Sequence, residues 1–188
     1  YMEAQSQVDH ETYKFLKPGE SVPEGYQRVD LRTIFDIKQD LRRKARTIAG
    51  GHKVDAFDIN CHSSNMKGIS ARLLMLIADA NGYDVRVGDI KNAYLYAPTA
   101  EKVWTVCGPE FARVIIDGKE CDMSGRKALI VKALYGLKSS GRQWHKYLGD
   151  ILRGLGFKPS RFDSDVWYRL NAKHDLYEYV GTHTDDLL

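Results

Sequence analysis

The chain has 188 residues, 43% hydrophobic, 28% charged and 11% aromatic, with a formal net charge of +3. That length suits one domain, or two small lobes, with a real apolar core. No apolar run approaches the roughly 20 residues a membrane helix needs, so no membrane partner is expected.

Residues 1–27 are polar, and Lys17-Pro18-Gly19-Glu20 and Pro23-Glu24-Gly25 are turn signals. The opening Tyr1-Met2-Glu3-Ala4-Gln5-Ser6 lacks the basic and apolar regions of a secretory signal. Starting on Tyr rather than Met suggests a piece of a longer chain. Residues 29–38 read as a strand, Asp40-Leu41-Arg42-Arg43 as a turn, and Lys44 to Ala49 as the returning strand of a basic hairpin that ends in Gly50-Gly51. Six firm cations (Lys38, Arg42, Arg43, Lys44, Arg46, Lys53) oppose Asp40 alone there. Such a cluster suits a polyanion partner, or equally a solvated ribbon face.

Ser70 opens a predicted helix to about Ala80, with Leu73, Leu74, Leu76, Ile77 and Ala80 on its apolar side and Asn81-Gly82 as its stop. A strand around Asp89 follows, Val85-Arg86-Val87-Gly88-Asp89-Ile90, and another spans Val103 to Cys107, closed by Gly108-Pro109. Residues 109–126 carry no clear assignment beyond a turn at Asp117-Gly118. A second helix starts near Ser140, with Trp144, Tyr147, Leu148, Ile151, Leu152 and Leu155 at helical spacing and Gly156 as its stop. Its Trp and Tyr read most simply as core. Val166 to Arg169 and Leu176 to Thr182 then form an antiparallel pair. Helices and strands mix without βαβ regularity, so the expected class is α+β. Three cysteines (Cys61, Cys107, Cys121) are an odd number without metal-ligand spacing, which favours a reduced, intracellular setting.

The chemistry gathers at acidic residues. Asp185-Asp186 follows the β-prone run from Leu176 to Thr182, and Asp89 sits upstream in a similar setting. Carboxylates at a strand end are costly unless solvated or holding a cation. An Asp pair alone is more often a surface turn, but two strand-borne sites that converge can hold paired divalent ions about 3.5–4 Å apart. Just past Asp89, Ile90, Lys91, Asn92 and Ala93 offer backbone N–H groups to a triphosphate. Tyr94 either stands under a sugar ring or packs in the core. In Ala133-Leu134-Tyr135-Gly136-Leu137-Lys138-Ser139-Ser140-Gly141, glycines permit close backbone approach to a ligand. The Lys and Ser groups of that stretch lead into a helix N-terminus that favours anions, with Ser140 as a plain N-cap the simpler alternative.

Taken in order, Arg43 to His52, Gly88 to Leu95, Glu101-Lys102-Val103-Trp104, Gly108-Pro109-Glu110-Phe111, Ala133 to Gly141, Asp163-Ser164-Asp165-Val166-Trp167 and Asp185-Asp186 resemble the blocks of a copia-type LTR-retrotransposon reverse transcriptase. The match runs from about residue 13 to the end. It implies a right-hand polymerase fingers–palm fold with an antiparallel palm sheet, truncated before the thumb. Residues 1–85 would be fingers and 86–116 the first part of the palm. Residues 117–141 would be the fingers return and nucleotide-side loop, and 142–188 the palm helix and first strand of the catalytic hairpin. Asp89, Asp185 and Asp186 match the catalytic, metal-binding carboxylates, for two Mg²⁺ ions with Mn²⁺ as a substitute. Tyr94 matches the position that excludes a ribose 2′-OH. Lys44 and Arg46 fall in the fingers strand whose cations meet the triphosphate, one or the other making that contact, and Tyr135-Gly136 through Gly141 match the loop that supports nucleotide and template.

The implied activity is RNA-directed DNA polymerisation, adding dNTPs to a primer 3′-OH on an RNA or DNA template. The implied partners are the rest of a Pol polyprotein (integrase, thumb, RNase H), and the implied location is a cytoplasmic virus-like particle. His183 departs from the Tyr usual two residues before the Asp pair. That departure and the missing palm keep a second reading open: an inactive remnant, or a co-opted nucleic-acid-binding fragment.

Overall fold

The computed structural model describes residues 1–37, 41–55 and 59–188. Lys38 and Asp40 of the basic stretch lie outside the described residues. In chain order come α1 (Met2–Asp9), β1 (Tyr13–Phe15), β2 (Gln27–Arg28), β3 (Leu31–Ile37), β4 (Arg43–Ala49) and α2 (Gly68–Asn81). Then follow β5 (Gly88–Asp89), β6 (Pro98–Val106), β7 (Val114–Ile116), β8 (Lys119–Cys121) and β9 (Lys127–Lys132). The chain closes with α3 (Ser140–Gly154), β10 (Lys158–Pro159), β11 (Val166–Asn171), β12 (Leu176–His183) and β13 (Asp186–Leu187). Two compact units result, one of Tyr1–Cys61 with Tyr94–Gln143, the other of His62–Ala93 with Trp144–Leu188. Their breaks differ from the 85/86, 116/117 and 141/142 boundaries expected from sequence.

The first unit holds a sheet of order β1-β9-β6-β2 and the separate hairpins β3–β4 and β7–β8. Alternation puts Val103 and Thr105 of β6 inside, and three successive residues of β9, Ala128, Leu129 and Ile130, are buried. Phe111, Val114 and Leu134 join them. The polar N-terminal stretch is a helix that sequence pattern did not reveal. Its buried face uses Ala4 and Gln7, not an apolar stripe. Gln7 Nε2 donates to the Thr47 carbonyl, and Gln7 Oε1 accepts from the Tyr13 hydroxyl at 2.6 Å. Residues 109–126 resolve into a β7–β8 hairpin turned by Asp117 and Gly118, both at positive φ.

The second unit is built on the sheet β10-β11-β12-β13-β5, antiparallel in every pairing. Its α2 starts at Gly68, before the expected Ser70, because a distant carboxylate caps it. Asp163 Oδ2 accepts from the Lys67 N–H at 2.9 Å and from the Ser70 hydroxyl at 2.6 Å. Gly82, at φ +64, ends it as expected. The apolar sides of both helices are narrower than their spacing suggested. Leu74 and Ala78 are buried while Leu73 and Leu76 are exposed; on α3, Trp144, Leu148 and Leu152 are buried and Ile151 exposed, as is Leu155 just past its end. Of the strand expected over residues 85–90, only Gly88–Asp89 pairs. The catalytic-hairpin reading is corrected too. Its return strand is present as β13, and Gly181 and Leu188 exchange both backbone hydrogen bonds.

Candidate active site

Asp89 ends β5, and Asp186 begins β13 directly opposite it in antiparallel register. On its other edge β13 pairs with β12, His183 opposite Asp186, leaving Thr184-Asp185 as a two-residue turn. The Ile90 N–H donates to the Asp185 carbonyl at 2.8 Å. Strand pairing thus brings Asp89 and Asp186 into register across the long sequence gap, with Asp185 in the adjoining turn. Asp89 and Asp186 are exposed and Asp185 half-buried. Among the described residues none of the three forms a side-chain ion pair or hydrogen bond. Uncommitted carboxylate oxygens are the donors that Mg²⁺ or Mn²⁺ prefers, so the residues fit such ions. Among the described residues, however, no three His, Cys, Asp or Glu groups converge as a metal cluster. Mutual repulsion opposes that approach unless a cation offsets the charge.

Sequence reading missed the residues that hold the turn. Trp144 Nε1 donates to the Thr184 carbonyl at 2.6 Å. Asn65 Oδ1 accepts from the Thr184 N–H at 3.1 Å and from its hydroxyl at 3.2 Å. Trp144 was legible only as core; Asn65 carries no sequence signal. The segment bearing Asn65 is itself fastened to β12, where the Met66 N–H donates to the Thr182 carbonyl. Gly181 makes room for it, since a Cβ there would lie 2.4 Å from Met66 Sδ. Beneath β12, the buried Asp165 accepts from His145 Nε2 at 2.5 Å and, through its carbonyl, from the Thr182 N–H.

Tyr94, Tyr135, Gly136, Lys44 and Arg46 belong to the first unit. The Tyr94 and Tyr135 rings pack at a 38° tilt with centroids 4.7 Å apart. The Ala49 N–H, at the end of the strand bearing Lys44 and Arg46, donates to the Tyr135 carbonyl at 2.7 Å. Gly136 adopts φ +92, and a Cβ on it would lie 2.1 Å from the Ala49 oxygen. The close approach that requires this glycine is therefore to β4. Other expectations for this stretch change similarly. Lys138 Nζ donates to the Val54 carbonyl, the Ser139 N–H and hydroxyl to Glu101 Oε1, and the Ser140 hydroxyl to the Leu134 carbonyl. Ser140 is thus the first helical residue and bonds backward instead of capping. Past Asp89, the Ile90 amide is committed to Asp185, Lys91 and Asn92 form a turn, and Ala93 is fully buried.

Comparison with known proteins identifies the family. The family model described as reverse transcriptase (RNA-dependent DNA polymerase) matches residues 10–188. The Retrovirus-related Pol polyprotein from transposon RE1 of Arabidopsis thaliana is 27% identical, covering 99% of this chain and 12% of its own length. The corresponding polyprotein from transposon TNT 1-94 of Nicotiana tabacum is 23% identical over 99% of the chain and 14% of its own length. The transposon Ty1-BL Gag-Pol polyprotein of Saccharomyces cerevisiae is 29% identical over 63% of the chain and 6% of its own length. The chain therefore spans only a small part of these relatives. No solved structure matches it significantly.

Proposed function

Because the chain belongs to the reverse transcriptase family, with copia-type transposon polyproteins among its relatives, we propose that it carries the nucleotidyl-transfer carboxylates of an RNA-directed DNA polymerase. The observation that supports this most is the register of Asp186 against Asp89, with Asp185 in the adjoining turn. Asp89, Asp185 and Asp186 would hold two Mg²⁺ ions. Bound there, the ions supply the charge that eases deprotonation of a primer 3′-OH and offsets the leaving pyrophosphate.

The chain's own part is to present three carboxylates that, among the described residues, have no side-chain partner. The second unit is the palm portion in this reading, and the first supplies fingers. Lys44 and Arg46 attract the triphosphate. The ring of Tyr94, backed by Tyr135, screens the sugar against a 2′-OH. Exposed Arg42 and Arg43 attract template and primer phosphates, which makes binding salt-sensitive and sequence-tolerant. Other Pol segments are the proposed partners, within a virus-like particle. No helix among the described residues is long and apolar enough to cross a membrane.

Primer extension on an RNA template tests the reading, with Asp185→Asn beside the unaltered protein and Mg²⁺ or Mn²⁺ supplied. Extension that requires Asp185 is expected. Equal extension by both proteins removes the role of Asp185. No extension by the unaltered protein with either ion leaves the inactive, nucleic-acid-binding remnant as the better account.

A further inference from the structure

We propose that Asn65 and Trp144 are positioning residues that set the direction of the Asp185 carboxylate, an inference that rests on reading Asp185 as a metal-binding group. Thr184 is a non-glycine residue at φ +56, in the first position of a two-residue hairpin turn. Glycine normally fills that position when only its φ is positive. A residue held in such a conformation persists where its surroundings over-determine it. Here three hydrogen bonds do so, taking the N–H, the hydroxyl and the carbonyl of Thr184.

The consequence reaches Asp185 through its two flanking peptide planes. The plane before it carries the Thr184 carbonyl, held by Trp144; the plane after it carries the Asp185 carbonyl, held by the Ile90 N–H. With both planes fixed, the Cα–Cβ direction of Asp185 is fixed as well. Trp144 is 3% exposed, so its indole N–H needs a partner in the protein and finds it at this carbonyl. Asn65 is exposed, and burial does not explain an amide there, but two donors on one residue call for an acceptor with two lone pairs.

Groups that orient a metal ligand typically change metal affinity by about 10–100-fold when removed. The test is Mn²⁺ titration of the 188-residue chain, read by loss of the free-ion electron paramagnetic resonance signal, with folding checked by circular dichroism. Asp185→Asn should abolish Mn²⁺ binding. Asn65→Leu, which removes the acceptor at similar volume, and Trp144→Phe, which removes only the N–H, should each weaken it about 10-fold. Asn65→Asp keeps an acceptor for both Thr184 donors and should bind at least as tightly as the unaltered chain. If Asn65→Leu does not fold, Trp144→Phe and Asn65→Asp decide between them. Unchanged binding in Asn65→Leu and Trp144→Phe, with binding lost in Asp185→Asn, overturns this inference alone. So does Asn65→Asp binding as poorly as Asn65→Leu. An unaltered chain that binds no Mn²⁺, or an Asp185→Asn chain that binds it equally, overturns the metal reading of Asp185 and this inference with it.

Discussion

Asp186 stands directly opposite Asp89 across the β13–β5 pairing, so the fold sets two like charges side by side. Opposed like charges in a sheet are destabilising, by about 0.2–1 kcal/mol. Neutralising either partner should therefore help the fold while harming the chemistry. For Asp89→Asn and Asp186→Asn we expect a melting temperature raised by roughly 1–3 °C. Metal-dependent primer extension should fall on the order of 100-fold or more. Calorimetry beside a single-turnover assay checks both. A melting temperature that falls with activity would mean that the carboxylates act as structural groups.

The Asp163 carboxylate ties the loop before β11 to the start of α2 and gives a prediction in pH. Burial pushes its pKa up, but hydrogen bonds from Ser70, Lys67 and Asp165 outweigh burial and hold it below the ordinary carboxylate value. An acid with a depressed folded-state pKa contributes stability above its unfolded value, about 3.9. That contribution is lost as pH falls through the folded value. Asp163→Asn should thus cost about 1–2 kcal/mol at pH 7, as loss of a helix cap does. The gap to the unaltered protein should narrow below about pH 4. Urea unfolding at pH 7 and pH 3 measures it, and an equal gap at both would assign the cost to packing instead of charge.

Asp163 also marks what was legible in the sequence and what was not. Periodicity placed α2, α3, the β3–β4 hairpin and the β11–β12 pair within a few residues, because local pattern determines those elements. It misplaced the start of α2 because the cap, Asp163, is 96 residues from Lys67 in sequence. It missed α1 because a buried glutamine, satisfied by Tyr13 and Thr47, replaces the apolar stripe that signals a helix. It widened the apolar faces of both helices because it could not say which leucines a neighbour covers. The chemistry-bearing aspartates were visible as a motif, and their pairing in register was not. Asn65 was invisible, since one exposed asparagine acquires meaning only through Thr184.

Glu101 is 3% exposed and accepts both the N–H and the hydroxyl of Ser139 through Oε1 at 2.8 and 2.9 Å, while its Oε2 has no partner among the described residues. One oxygen therefore holds the loop entering α3, and the other only bears the cost of burial. Glu101→Gln preserves the useful acceptor and removes the charge, so stability should change by no more than about 1 kcal/mol in either direction. Glu101→Ala leaves two buried donors unpaired and a cavity, at a cost of about 2–4 kcal/mol. Urea midpoints at neutral pH distinguish the two substitutions. Equal losses would show that the charge itself matters.

Gly136 and Gly181 both lack room for a methyl group, yet the two predictions differ because different atoms stand in the way. At Gly136 the obstacle is the Ala49 backbone oxygen, 2.1 Å from an added Cβ, and φ +92 is unfavourable for any side chain. Neither problem is relieved by a rotamer change, because Ala49 is held in β4 and donates its N–H to the Tyr135 carbonyl. Gly136→Ala should cost at least about 3 kcal/mol and loosen the Tyr94–Tyr135 ring contact. At Gly181 the nearest atoms are Met66 Sδ and Cε, at 2.4 and 2.9 Å, and the backbone φ is ordinary. A thioether can swing aside, so Gly181→Ala should cost only about 1–2 kcal/mol. Its larger effect should be on Mn²⁺ binding, because displacing Met66 drags on Asn65, the next residue, and through it on the turn at Asp185. Thermal unfolding and Mn²⁺ titration of both variants test this contrast. A Gly181→Ala chain that is severely unfolded would show that the Met66 thioether does not swing aside, and one with undiminished metal affinity would show that strain at Met66 does not reach the turn.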